Sequence, residues 1–143
     1  MNGVSIIGAR GRIGDKEILV DYFRGVDGDG IALDSDEVKG LEHLQSAVMH
    51  AQRAFERGEN VSARMLMETL LYASGERQIS LAIARMGVKN GSHEVVLILE
   101  GMEPDRVLNE LGLRRDDSVI SVVSVDEKKA ALERVALVDI IKR

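Results

Sequence analysis

The segment Leu70-Leu71-Tyr72-Ala73-Ser74-Gly75-Glu76-Arg77-Gln78-Ile79 stands out for the chemistry its side chains can do. Arg77 can fork two hydrogen bonds onto a phosphate or stack on a base, Gln78 can read a base edge, and Tyr72 offers a stacking face. Gly75 permits close approach of backbone to a ligand, and a helix starting here points its N–H groups outward at a positive dipole end. These are tools for holding a nucleic-acid strand, not for breaking a bond. The plainer alternative is a capped turn whose Arg and Gln are solvated.

Other candidate motifs fail on spacing. Val4 to Gly14 places glycines at 8, 11 and 14, with Ala9 where a dinucleotide fingerprint needs its turn-forming Gly. The next residues, Asp15-Lys16-Glu17-Ile18-Leu19-Val20, read as a strand, so a phosphate would lack a helix N-terminus and a hairpin connection is the better account. Asp27 and Asp29 alternate as in half of a calcium loop, but Val38 stands where the closing acidic ligand is needed. His43 and His50 share a predicted helix face about 10 Å apart, too far for one metal, and His93 falls in a loop. With no Cys, thiolate catalysis, disulfides and zinc-thiolate sites are excluded. There is no Walker A sequence and no nucleophile elbow. The reading is of a protein with no catalytic residues, no metal, no cofactor and no small-molecule substrate.

The elements that must position the 70–79 segment are predicted from periodicity. Val4–Ile7 and Glu17–Phe23 read as strands, and Gly25–Gly30 as a flexible loop. Asp34-Ser35-Asp36-Glu37 supplies caps and acidic first-turn residues for a long helix whose inner face is Val38, Leu41, Leu44, Val48, Ala51 and Phe55. Gly58-Glu59-Asn60 ends it. A second helix covers about 62–73, and Ser74-Gly75 breaks it and caps a third over 76–86, closed by Gly87. Glu94–Glu100 is a buried strand, and Pro104 to Leu111 a short helix with Gly112 at its end. Residues 118–125 and 127–132 are ambiguous. Val135–Ile141 reads as a final buried strand, with a helix running on from Glu127 as the alternative. The expected fold is α+β, one domain spanning 1–143, with a mixed β-sheet covered by several α-helices.

Composition agrees with a small globular domain: 45% hydrophobic, 30% charged and only 3% aromatic. No apolar run is long enough to cross a bilayer, and the N-terminus lacks a signal-peptide pattern, so a cytoplasmic protein without membrane contact is expected. The net charge of −5 argues against non-specific coating of nucleic acid. Residues 50–90, however, carry six Arg or Lys against four Glu, so this middle section is mildly basic within an acidic body. One anionic strand could be bound locally there, although ordinary surface variation is the simpler account.

The same segment resembles a known family. Ala51-Gln52-Arg53-Ala54-Phe55-Glu56-Arg57-Gly58-Glu59-Asn60-Val61, then Glu68-Thr69 leading into LLYASGERQI, Ala82-Ile83, Met86-Gly87-Val88 and Glu133-Arg134-Val135-Ala136-Leu137-Val138 are similar to the archaeal and eukaryotic PRPK-binding proteins. These are the small subunits of the KEOPS (EKC) complex. The decamer is the specific part, and the first forty residues add little. The short, Cys-free chain suits an archaeal-type member.

The resemblance implies a non-catalytic subunit of the complex that makes threonylcarbamoyladenosine in tRNA. Its implied partners are the PRPK-like kinase/ATPase subunit and the single-stranded 3′ CCA tail of tRNA. Arg64, Arg77, Arg85 and Lys89 are the candidate phosphate contacts, and Tyr72, Ser74, Gly75, Gln78 and Ile79 would shape the pocket. Val135, Leu137, Val138 and Ile140 are the candidate kinase-binding residues. A module that regulates the kinase without touching RNA is the alternative.

Overall fold

A computed structural model describes residues 3–142, and the chain divides into two compact units, each built from two separated segments. The first comprises the chain up to Glu37 together with Gly87–Ser121. It contains β1 (Val4–Ile13), α1 (Glu17–Arg24), β2 (Asp29–Leu33), β3 (Ser92–Glu100), α5 (Pro104–Leu111) and β4 (Arg114–Arg115). The second comprises Val38–Met86 and the chain from Val122, and contains α2 (Leu41–Glu56), α3 (Met65–Ser74), α4 (Ile79–Met86) and α6 (Val125–Ile141). Among the described residues no helix is long and apolar enough to cross a membrane.

In the first unit the strands order as β2-β3-β1-β4. Every pairing is antiparallel, so the α+β class is observed but the sheet is not mixed. The continuous apolar run of β3 is buried from Val95 to Leu99. Val95, Leu97 and Leu99 share a core with Ile7, Ala9 and Ile13 of β1, Leu19 and Phe23 of α1, and Val107 and Leu108 of α5.

Three expectations change here. Glu17–Arg24 is a helix, not a strand: Leu19 and Phe23, four apart, are buried, while the β-branched Ile18 and Val20 face outward. β2 begins at Asp29, inside the expected loop, and Gly30 lies flush under the Phe23 ring, where a Cβ would meet a ring carbon at 2.2 Å. The glycines after Ile7 are not a hairpin connection. Gly8 pairs with Val96 in mid-strand, and the ladder continues to Ile13 through a register shift after Arg10.

The segments expected to be helical, and the turn expected to cap the first of them, also depart from expectation. Residues 35–37 form a 3-10 turn, and α2 starts only after Gly40, whose φ of 91° no helix accepts. α3 packs with α2, α4 and α6. Its residues 68–74 are buried without a break, as expected of a helix apolar nearly all round. The expected final strand is instead the second half of α6. Ala131, Val135 and Val138 recur at four and three residues and are buried together, and Ser124 caps the helix by accepting from Glu127 N–H at 3.1 Å.

Gly8 is required by packing, not by a ligand: a Cβ there would lie 2.5 Å from the carbonyl oxygen of Asp116 and 3.1 Å from Val119 Cβ. Gly8→Ala is expected to destabilise the protein by about 1–3 kcal/mol, the usual range for an overpacked site, read as a lower urea midpoint.

Candidate functional site

The turn between α3 and α4 is built by its own backbone. Gly75 closes α3 in the left-handed conformation at φ 74°, and its N–H donates to Leu71 O at 3.0 Å. The Ser74 hydroxyl donates to Leu71 O at 3.1 Å and accepts from Glu76 N–H at 3.2 Å. A Cβ on Gly75 would fall 2.4 Å from Arg134 Cγ, so the aliphatic stem of Arg134 from α6 lies against this position. From α2, His43 reaches the same end of α3. It is fully buried, and its Nδ1 accepts from Lys39 N–H at 3.0 Å while its Nε2 donates to Ala73 O at 2.8 Å. Those two bonds fit only the neutral tautomer, and burial pushes the imidazole pKa down.

A buried polar network underlies α3 on its other side. Glu68 accepts from the N–H groups of Val61 and Ser62 at 2.9 and 2.8 Å, and its second carboxylate oxygen accepts from Lys142 Nζ. Lys142 also donates to the Tyr72 hydroxyl at 3.0 Å and sits 4.6 Å from the ring centroid. The Tyr72 hydroxyl donates to Asp139, whose other oxygen lies 3.0 Å from His50 Nδ1. Burial and the Asp139 carboxylate push the Tyr72 phenol pKa upward, so it stays protonated. For Asp139 itself, burial works upward, but the hydrogen bonds from Tyr72 and His50 outweigh it and the pKa is lowered. Sequence reasoning missed this network. Its one visible signal is Glu68, a lone carboxylate inside the apolar run of α3.

The candidate residues therefore divide. Arg77 and Gln78 are exposed on the turn, and among the described residues no partner holds the Arg77 guanidinium. Ile79 is half-buried beside them, and Arg85 is exposed but paired with Glu76 at 3.4 Å. Tyr72 and Ser74 are fully buried, which corrects the expectation that they offer surface to a ligand: Tyr72 has no open ring face for a base, and both position the turn from beneath. Arg64 stands just before the far end of α3, about 15 Å along the helix axis. Lys89 belongs to the sheet unit, where its ammonium donates to Gly87 O at 2.8 Å.

The four C-terminal candidates divide too. Leu137 and Ile140 are 53% and 66% exposed, whereas Val135 and Val138 are buried. Read as a strand, those positions offered no such grouping. On a helix, 135 and 138 turn inward while 137, 140 and 141 form an outward apolar stripe.

An exposed turn with an unheld guanidinium and a helix with apolar side chains left outside are features of a protein that binds others. Comparison with known proteins gives the particular kind. Residues 22–142 match the family described as Kinase binding protein CGI-121, and the chain belongs to that family. It is 32% identical to the Regulatory protein Cgi121 of Methanocaldococcus jannaschii, over 77% of this chain and 83% of that one. This is the family the LLYASGERQI resemblance indicated.

Glu68→Ala removes one partner of a dry ion pair and orphans two N–H groups, and should cost about 3–5 kcal/mol, measured by chemical unfolding. His43 gives a pH dependence of fixed sign. Its folded pKa lies below the unfolded value, so the unfolded chain takes up the proton first and stability falls as pH drops through about 6.5. Urea midpoints measured between pH 7.5 and 5 should show that slope in the wild type and a flatter one in His43→Gln.

Proposed function

We propose that this chain is the non-catalytic small subunit of a KEOPS-type complex. It binds the PRPK-like kinase/ATPase subunit and recruits tRNA by its 3′ CCA end for threonylcarbamoyladenosine modification. The whole chain, residues 1–143, acts as one such module in the cytoplasm, with no small-molecule substrate.

The observation that carries the RNA part is the turn at 75–79. A rigid, internally bonded backbone holds Arg77 and Gln78 out together at the start of a helix, with Ile79 as an apolar floor. A single-stranded tail can splay its bases onto such a surface and expose their edges, which a duplex cannot. Arg77 would take a phosphate or a base face, and Arg85 would exchange Glu76 for phosphate. Arg64 and Lys89 are phosphate candidates outside the turn. So small a footprint predicts modest affinity and a shallow salt dependence, which suits a chain of net charge −5.

The kinase part is supported by the family's description and by the outward stripe of α6. Leu137 and Ile140 supply the apolar centre that a protein interface needs, and Lys129 and Glu133 on exposed positions of the same helix supply a polar rim. A second reading, kinase regulation without RNA contact, is favoured by one observation: the Leu70–Ser74 half of the decamer is buried and serves the fold.

Anisotropy titrations with intact tRNA and with tRNA lacking its CCA end separate the two. Affinity should drop at least tenfold without the tail, a loss of about 1.4 kcal/mol. Arg77→Glu should abolish the difference between the two RNAs while kinase pull-down persists. Equal binding of both RNAs by the wild type would leave kinase regulation as the function.

A further inference from the structure

Within the acidic sheet unit, β1 and β4 bring together arginines that the 75–79 turn does not use. Ile7 and Ala9 of β1 are buried in the core, so strand alternation sends Arg10 to the opposite face, and Arg12, which lies within the register shift that follows Arg10, is exposed. Arg114 of β4 is the direct antiparallel partner of Arg10 and shares that face. Gly11 lies against Leu113, where a Cβ would meet Leu113 Cδ2 at 2.6 Å, so Arg12 and Arg114 each follow directly on one close contact between the two segments.

The acids nearby are already committed. Arg10 takes Glu94 and Asp116, each at 2.6 Å. Hydrogen bonds from Ser118, first its hydroxyl, and from Arg10 hold the Asp116 carboxyl down at about 2. Asp117 accepts from Gly8 N–H at 3.0 Å and pairs with Arg115 at 3.2 Å. Arg12 and Arg114 are exposed, and neither has a hydrogen-bond or ion-pair partner among the described residues.

Like charges placed opposite one another in a ladder repel, and charge on an edge strand discourages sheet-to-sheet pairing. One edge charge suffices for that purpose, whereas here two unpaired guanidiniums stand beside a third. No large apolar side chain is exposed in residues 3–13 or 112–121, so the patch lacks the apolar centre of a protein interface. Two unpaired forks on adjoining strands suit phosphates of one nucleic-acid strand.

We propose that Arg12 and Arg114 form a second, sequence-independent contact surface for the phosphate backbone of folded RNA. It would hold the body of the tRNA, where the 75–79 turn holds the tail. The inference rests on the tRNA-binding reading, but not on the family match, since β1 lies outside the matched residues 22–142.

The test uses the full chain, wild type and an Arg12→Gln/Arg114→Gln double variant, titrated with tRNA and tailless tRNA across a salt series. Circular dichroism melts should coincide, because neither side chain is bonded to the fold. The variant should bind both RNAs about tenfold more weakly at low salt. Its slope of log K against log salt should be shallower by about 1.4–1.8, the loss of two phosphate contacts. Identical slopes and affinities, with tail dependence intact, overturn the arginine surface and leave tail recruitment standing. Arginine-dependent binding without tail dependence does the reverse, and a wild type that binds neither RNA removes both.

Discussion

Glu68 is the constraint around which the helical unit is arranged. A carboxylate with no exposure to water is tolerated only if every lone pair is used and an opposite charge is close. Val61, Ser62 and Lys142 meet that requirement from two directions. The backbone leading into α3 is thereby fixed to its first turns, and the end of α6 is fixed to its flank. Tyr72 extends the arrangement to Asp139 and His50, so α2, α3 and α6 are joined through one polar chain. Lys142 and Asp139 thus set the rotation of α6, which in turn decides that Leu137 and Ile140 face outward.

The same logic separates the roles within the decamer. Its first half, Leu70 to Ser74, is buried and supplies rigidity; beyond the half-buried Glu76, Arg77 and Gln78 are exposed. Gly75 stands at the boundary, where the reversal of the chain and the stem of Arg134 leave no room for a side chain. In the role we propose for it, a turn whose conformation is fixed beforehand would lose little entropy on association, so a few polar groups could give useful affinity.

Much of this was legible in the sequence. Periodicity located α3, β3 and α5, Pro104 and Gly112 marked the ends of α5 as they should, and the α+β class followed. The failures share one cause: short apolar runs do not reveal their period. Glu17–Phe23 and Val135–Ile141 contain enough β-branched residues to read as strands, and only the three-dimensional core shows that Leu19 with Phe23, and Val135 with Val138, are the pairs that face inward. Treating 135–141 as one apolar surface then merged residues that lie on opposite sides of a helix. Tyr72 misled for a related reason, since its amphipathic ring suits a ligand platform and a buried hydrogen-bonded network equally well. His43 gave no signal, because a histidine on a helix does not announce a carbonyl 30 residues away.

The order of segments along the chain has a consequence for how the protein is made. The helical unit is interrupted by Gly87–Ser121, and Lys142 follows Glu68 by 74 residues. A ribosome therefore releases the carboxylate of α3 long before its ammonium partner exists. Until α6 emerges, burying Glu68 as a carboxylate would leave it without an opposite charge. The acid that anchors the finished unit thus gains its counter-charge only when the last helix has been made.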